Sequence, residues 1–324
     1  MPHKFNQAKR HHIPKQQYKV TNWANYNAAL KKRGRIDIFI HQKLITNWSK
    51  TRIHDGHGSS QQYSHEAILA CHQLRLLFHL PLRQTQGFIE SLFAMMKLNL
   101  PVPSIATLCE RLKSLGLRAP DFKNSPKNPA DIAAIAIDST GLKQYGRDEW
   151  HQEKHKVKSK ASWRKAHFLV GDNHLIYGAK MSDKNIWDHE VVDDLVIQQS
   201  VAVGAIYGDK GYDENTVYET LADRFPDADI IIPPKSNLTG KGCYHPKRAA
   251  HIDEIARSGS LAWQKHHQYG KRNVSEMAMK RYKLTFSYRL HARTFERQEQ
   301  EMMIACGILN QFTRFGMPQS HRTA

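Results

Sequence analysis

Apolar residues follow two rhythms along this chain. Between residues 63 and 115 they recur at helical spacing. Ile68, Leu69 and Leu76 form one stripe, Phe88, Leu92 and Met95 a second, and Leu108, Leu112 and Leu115 a third. Pro81 separates the first stripe from the second, and Pro101-Val-Pro103 the second from the third. Ser104 is placed to cap the third helix. Beyond residue 130 the rhythm changes. Ile132–Ile137 and Val201–Tyr207 are short, unbroken apolar runs, the pattern of strands buried on both faces. Trp163–Val170 and Leu175–Lys180 flank Gly171-Asp-Asn-His, a hairpin signal. Asp229–Ile232 is a further short strand, closed by Pro233-Pro234. Helices are predicted over 184–199, 212–224, 269–283 and 294–312.

The pattern divides the chain into a mostly helical region at 1–118, a proline-bearing linker at 119–130 and an α/β domain at 131–324. Residues 233–262 carry Gly, Lys and Pro and read as a loop-rich insert within that domain. The order of strands, with helices after them, fits an RNase H-like core with a mixed sheet. A length of 324 residues gives ample core for this plan.

Charge points to a partner. The formal net charge is +18, which calls for a polyanion, either nucleic acid or a membrane surface. No apolar run approaches 18 residues, so a membrane span is not expected. No signal-peptide pattern opens the chain, and the four cysteines lack paired spacing, as in a reduced cytoplasmic protein. Residues 1–60 hold twelve Lys/Arg against Asp37 and Asp55, and the first twenty residues read as a mobile basic arm. The helix after Ser104 carries Arg111 and Lys113. With its predecessor it forms either a helix-turn-helix reader of DNA or an ordinary helical bundle. Lys154–Lys165 holds six Lys/Arg and no acid, ending in Trp163-Arg164-Lys165, and reads as a phosphate track or a solvated loop. Trp163 either stacks on an unpaired base or anchors the hairpin. Cys243-x-His245 and His266-His267 offer a zinc site, with surface histidines as the plainer alternative.

The candidate chemistry lies in three acids. Asp138 ends one buried apolar run, and Asp209 follows the next through Gly208, so both leave strands near their C-terminal ends. The third is Glu276. Drawn as one helix, Tyr269, Arg272, Glu276 and Lys283 fall within an arc of about 60°. Val274, Met277, Ala278 and Tyr282 form the other side, which suits burial. Three hard carboxylates without soft ligands suit Mg²⁺ or Mn²⁺. Two such ions are a known apparatus for cutting a phosphodiester. Singly, each acid has a plainer role: Asp138 and Asp209 as turn caps, and Glu276 in a surface ladder with Arg272 and Lys280. Asp183 and Asp188 either support the site or sit at a helix N-terminus for its dipole.

The pattern Tyr269-x2-Arg272-x3-Glu276-x6-Lys283 resembles the signature of bacterial insertion-sequence transposases of the DDE type. Ile137-Asp138-Ser-Thr-Gly-Leu-Lys143 is similar to the first-acid motif of the insertion-sequence-five family. Gly208-Asp209-Lys-Gly-Tyr-Asp213 is similar to its second, with Lys210 as a departure. The likeness extends to Lys19–Asn27, Leu80–Thr85, Trp163–Lys165 and Leu309–Pro318. It implies Asp138, Asp209 and Glu276 as catalytic metal ligands, and DNA contacts from Tyr269, Arg272 and Lys283. Lys143, Trp163, Arg164, Lys165, Arg111 and Lys113 are the further DNA-contact candidates. It also implies binding of terminal inverted repeats, hydrolysis at the element ends, 3′-OH strand transfer into target DNA, and a dimer or higher synaptic assembly. A metal-dependent nuclease that cuts without joining, and a non-catalytic DNA-binding regulator, are the alternatives.

Overall fold

The computed structural model describes residues 17–49, 63–118, 132–144, 163–198, 202–235 and 244–323. The chain divides into two compact units, residues 36–310 and residues 1–35 with 311–324.

The larger unit is built on a five-stranded sheet: β2 (Ala134–Lys143), β3 (Trp163–Gly171), β4 (Ile176–Asp183), β5 (Ala205–Tyr207) and β6 (Asp229–Ile231). The spatial order is β4-β3-β2-β5-β6. β2, β3 and β4 form an antiparallel meander, while β5 and β6 join parallel to β2. This mixed sheet, helical on both faces, is the RNase H-like arrangement that the strand order predicts.

Side chains alternate across β2. Ile135 and Ile137 enter a core with Val192 and Leu195 of α6 (Val192–Val196) and Tyr218 and Leu221 of α7 (Asn215–Arg224). The opposite face meets α10 (Asn273–Phe286), whose Tyr282 ring lies 5.7 Å from that of Phe168. Both outer strands are tied by side chains. Asn310 of α11 (Phe295–Phe315) bonds both backbone groups of Ile176 on β4, at 2.7 and 2.9 Å. His251 donates to the Ile230 carbonyl of β6 at 2.7 Å.

The helical region before the sheet contains α2 (Gln42–Thr46), α3 (His65–Leu77), α4 (Leu82–Met95) and α5 (Ile105–Lys113). Ser104 caps α5 as its sequence indicates, accepting from Thr107 N at 3.2 Å. These helices belong to the same compact unit as the sheet. Buried Arg75 of α3 pairs with buried Glu301 of α11 at 3.6 Å, and the Gln300 amide holds both backbone groups of Leu117. These contacts are polar and long-range, so apolar periodicity does not reveal them.

Three local expectations change. Residues 246–266 are helical, not loop: α8 (Pro246–Ser258) and α9 (Ser260–His266). Pro246 opens α8 at a position where its missing N–H costs nothing, and the His245 ring caps Lys247 N. The acidic stretch after β4 is shorter than predicted, a 3₁₀ turn at Asp188–Val191 leading into α6. The predicted basic arm ends in β1 (Gln17–Val20), which pairs antiparallel with β7 (Ser320–Thr323) in the smaller unit. That unit also holds α1 (Trp23–Arg33), whose Arg33 donates to Gly316 O. The linker, the track at 154–162 and Cys243 lie outside the described residues. Among those described, no helix is long and apolar enough to cross a membrane.

Candidate active site

Register aligns the first two acids. Ala136 of β2 pairs in parallel with Tyr207 of β5, and Asp138 and Asp209 each follow two residues on. Asp138 does not end its strand. β2 continues to Lys143 because β3 pairs with it along its whole length, but its parallel partner stops at Tyr207. The acid therefore sits where one flank of the strand opens. Asp209 caps a 3₁₀ turn at Lys210–Tyr212, accepting from Gly211 N at 2.8 Å. Asp138 Oδ1 accepts from Ser139 N, also at 2.8 Å. The plainer role foreseen for Asp209, a turn cap, is thus present, whereas Asp138 lies inside β2 and caps no turn.

The third acid comes from the other face. Tyr269–Arg272 is a 3₁₀ turn, not part of the helix, and follows Gln268 in the left-handed region at φ 50°. Helix α10 begins at Asn273, so the single arc holds for Arg272, Glu276 and Lys283 but not for Tyr269. Val274, Ala278 and Tyr282 are buried as expected, while Met277 stays exposed. Arg272 is the link between acids. One terminal nitrogen lies 3.0 Å from Asp138 Oδ2, and the other pairs with Glu276 one turn on. Ser275 Oγ donates to Arg272 O at 2.8 Å and stands 3.3 Å from the same Asp138 oxygen. Lys283 is half-buried on the same helix.

Two tyrosines cross-tie the signature turn to the second acid's strand. Tyr269 Oη donates to Gly208 O at 3.1 Å, and Tyr207 Oη donates to His267 O at 3.2 Å. The Tyr269 ring rests 5.5 Å from that of Trp263, which is fully buried, and 5.8 Å from the Arg272 guanidinium. Burial pushes the Tyr269 phenol up to about 12, against the pull of Arg272, so it stays a donor.

Electrostatics single out Asp138. Burial raises its carboxyl to about 6, the Ser139 N–H and Arg272 pull it down, and Asp209 and Glu276 push it up again. A buried acid with two acidic neighbours suits a bound cation, and an all-carboxylate donor set suits a hard one. The residues therefore fit a divalent ion. The three acids do not close to 4.8 Å in the arrangement that Arg272 bridges. The one His/Cys/Asp/Glu group among the described residues that does close so far is His251, Glu254 and His267. There His251 Nε2 donates to Ile230 O while Nδ1 accepts from Trp263 Nε1 at 3.0 Å. With both nitrogens engaged, His251 serves packing and offers no lone pair to a metal.

The remaining predicted contacts are dispersed. Arg164 pairs with Asp183, bonds Gln298 and lies over Phe295. Lys165 pairs with Asp188 at 2.9 Å and donates to Ile186 O. Trp163 packs over Gly141, where an added Cβ would meet its ring at 3.4 Å, the anchoring role. Lys143 stands over the Tyr288 ring at 5.5 Å. Arg111 is turned inward, donating to Tyr63 O at 3.2 Å, whereas Lys113 is exposed at the end of α5. The α5 backbone and Glu110 are held by Arg297 of α11.

Two supporting groups find partners that the sequence does not name. Asp188 accepts from Ser139 Oγ at 2.8 Å, beside Asp138 but on the opposite side of β2. Asp213, fully buried at the end of the second-acid motif, is gripped by Arg248 of α8 through Nε at 2.8 Å and Nη2 at 3.1 Å. Asp213 lies within a motif that the sequence does flag. Nothing in the sequence pairs it with Arg248.

Among solved structures the chain is similar to the Drosophila P element transposase strand transfer complex, at 14% identity and a TM-score of 0.32, over 84% of this chain and 70% of that one. Two family models described as Transposase DDE domain match, one at residues 31–147 and the other at 129–311. Domains of this family generally depend on a divalent metal ion. The second match takes in more than half of the sequence, and the chain belongs to the transposases with a DDE domain.

Proposed function

We propose that this transposase mobilises an insertion sequence of the insertion-sequence-five kind, with Asp138, Asp209 and Glu276 as its catalytic acids. It binds the terminal inverted repeats, hydrolyses the phosphodiester at each element end and joins the freed 3′-OH to target DNA. The observation that carries this reading is the grouping of the three acids: the neighbouring strands β2 and β5 bring two of them level, and Arg272 links the third to Asp138.

The acids would hold Mg²⁺ or Mn²⁺, which supplies Lewis-acid stabilisation of the phosphoryl oxygens and lowers the pKa of water. The chain's own residues do the rest. Arg272 offers a planar, two-pronged contact to a phosphate, and Lys283 a point charge further along the same helix. Tyr269 keeps the signature turn against the second acid's strand. The net charge of +18 supports attraction of the DNA, and two ends call for a dimer or larger assembly.

A strand-transfer assay on the element's own ends tests this. Asp138→Asn, Asp209→Asn and Glu276→Gln should each lower cleavage by about two orders of magnitude or more, with end binding kept. Near-normal cleavage by any one removes that residue from the site. Cut ends without joined product from the unaltered enzyme would favour a nuclease instead.

A further inference from the structure

Arg272 occupies a position with two possible employers. In a DNA complex its guanidinium is suited to a phosphate. In the structure it is held by two of the three acids. Its side chain is only 20% exposed and that of Asp138 only 13%, so this contact is little screened by water, whereas Glu276 is half exposed. The Tyr269 ring below and the Ser275 hydroxyl at its carbonyl fix its path.

We propose that Arg272 is an internal counter-cation that couples metal loading to DNA binding. Without DNA it neutralises Asp138 and Glu276 and keeps the acids apart, so a divalent ion must compete with it. A DNA phosphate draws the guanidinium away and leaves the acids free to converge on the ion. DNA and metal then raise each other's affinity, as linkage requires. The inference rests on the assignment of these acids as metal ligands, and it gives Arg272 a task before any chemistry begins.

The alternatives for this cation are weaker. A surface ladder needs only Glu276, whereas here a second contact, at 3.0 Å, spans 134 residues of sequence to Asp138. A purely structural brace would have no reason to bridge two acids of one candidate metal set.

Mn²⁺ titration of the full chain by calorimetry tests the coupling, with and without a short duplex. Arg272→Gln should bind Mn²⁺ about tenfold or more tightly than the unaltered protein when DNA is absent, comparable to the effect of an arginine on a neighbouring carboxylate. The duplex should tighten Mn²⁺ binding to the unaltered protein and leave Arg272→Gln unchanged. Lys271→Gln, which removes an exposed neighbouring charge, should behave as the unaltered protein, and a circular dichroism spectrum confirms that each variant is folded. Equal Mn²⁺ affinity of Arg272→Gln and the unaltered chain would overturn the coupling while leaving the metal site intact. Absence of Mn²⁺ binding from every sample, duplex included, would instead overturn the assignment of the acids.

Discussion

Asp138 keeps its proton to a higher pH than an ordinary carboxyl does, even with Arg272 beside it. Its carboxyl titrates at about 6 in the folded chain, above the ordinary value of 3.8, chiefly through burial. Between these two values the folded protein holds a proton that the unfolded chain has released. Stability from this group is therefore full below about pH 4 and is lost as pH rises through about 6. The difference amounts to at most about 3 kcal/mol, with the opposing pull of Arg272 already included. In EDTA at pH 7.5, Asp138→Asn should melt a few degrees above the unaltered protein, and at pH 4 the two should coincide. Thermal unfolding followed at both pH values checks this, and a lower melting point for the variant at pH 7.5 would contradict the account. Residue-level reading of the sequence identifies this acid but not its raised pKa, because burial comes from α10 folding over the strand.

At the scale of elements, the signature works as a turn followed by a helix. The turn is pinned to β5 by the crossed tyrosine bonds, and the helix delivers Glu276 by its one-turn spacing from Arg272. Tyr207→Phe and Tyr269→Phe each remove one hydroxyl and should cost about 1 kcal/mol of stability. If the ties position Glu276 against Asp209, both variants should slow cleavage while binding element ends normally. Should Tyr269→Phe instead weaken end binding and Tyr207→Phe do nothing, the direct DNA contact implied by the family likeness would be the right role. The strand-bound acids were readable from short apolar runs ending in aspartate. The break between turn and helix was not, since Gln268 in the left-handed region has no sequence mark.

For the whole molecule, the helices before the sheet and the segment after them are tied to α11 by polar contacts, one of them a buried ion pair. Arg75 meets Glu301, Gln300 brackets Leu117, and Arg297 reaches Cys109 O. Removing the partner of a buried ion pair costs about 3–5 kcal/mol, comparable to the whole margin of a small domain. A fragment of residues 1–118 should accordingly lack cooperative thermal unfolding by circular dichroism. A sharp transition in that fragment would restore it as an independent domain, as composition alone suggests.

Local chemistry determined much of this protein. Strand and helix rhythm, the Ser104 cap, the hairpin at Gly171 and the three acids all follow from residues near one another in sequence. There, the backbone and side-chain preferences act without waiting for the fold. Tertiary structure decided what depends on distant partners. It set β2 running past Asp138 because β3 needed a full-length mate. It turned Arg111 inward and occupied Arg164 and Lys165 with Asp183 and Asp188. It placed Arg272 between acids 134 and four residues away. A charge seeks the nearest opposite charge in space, and sequence separation carries no information about that distance once the chain has closed its sheet.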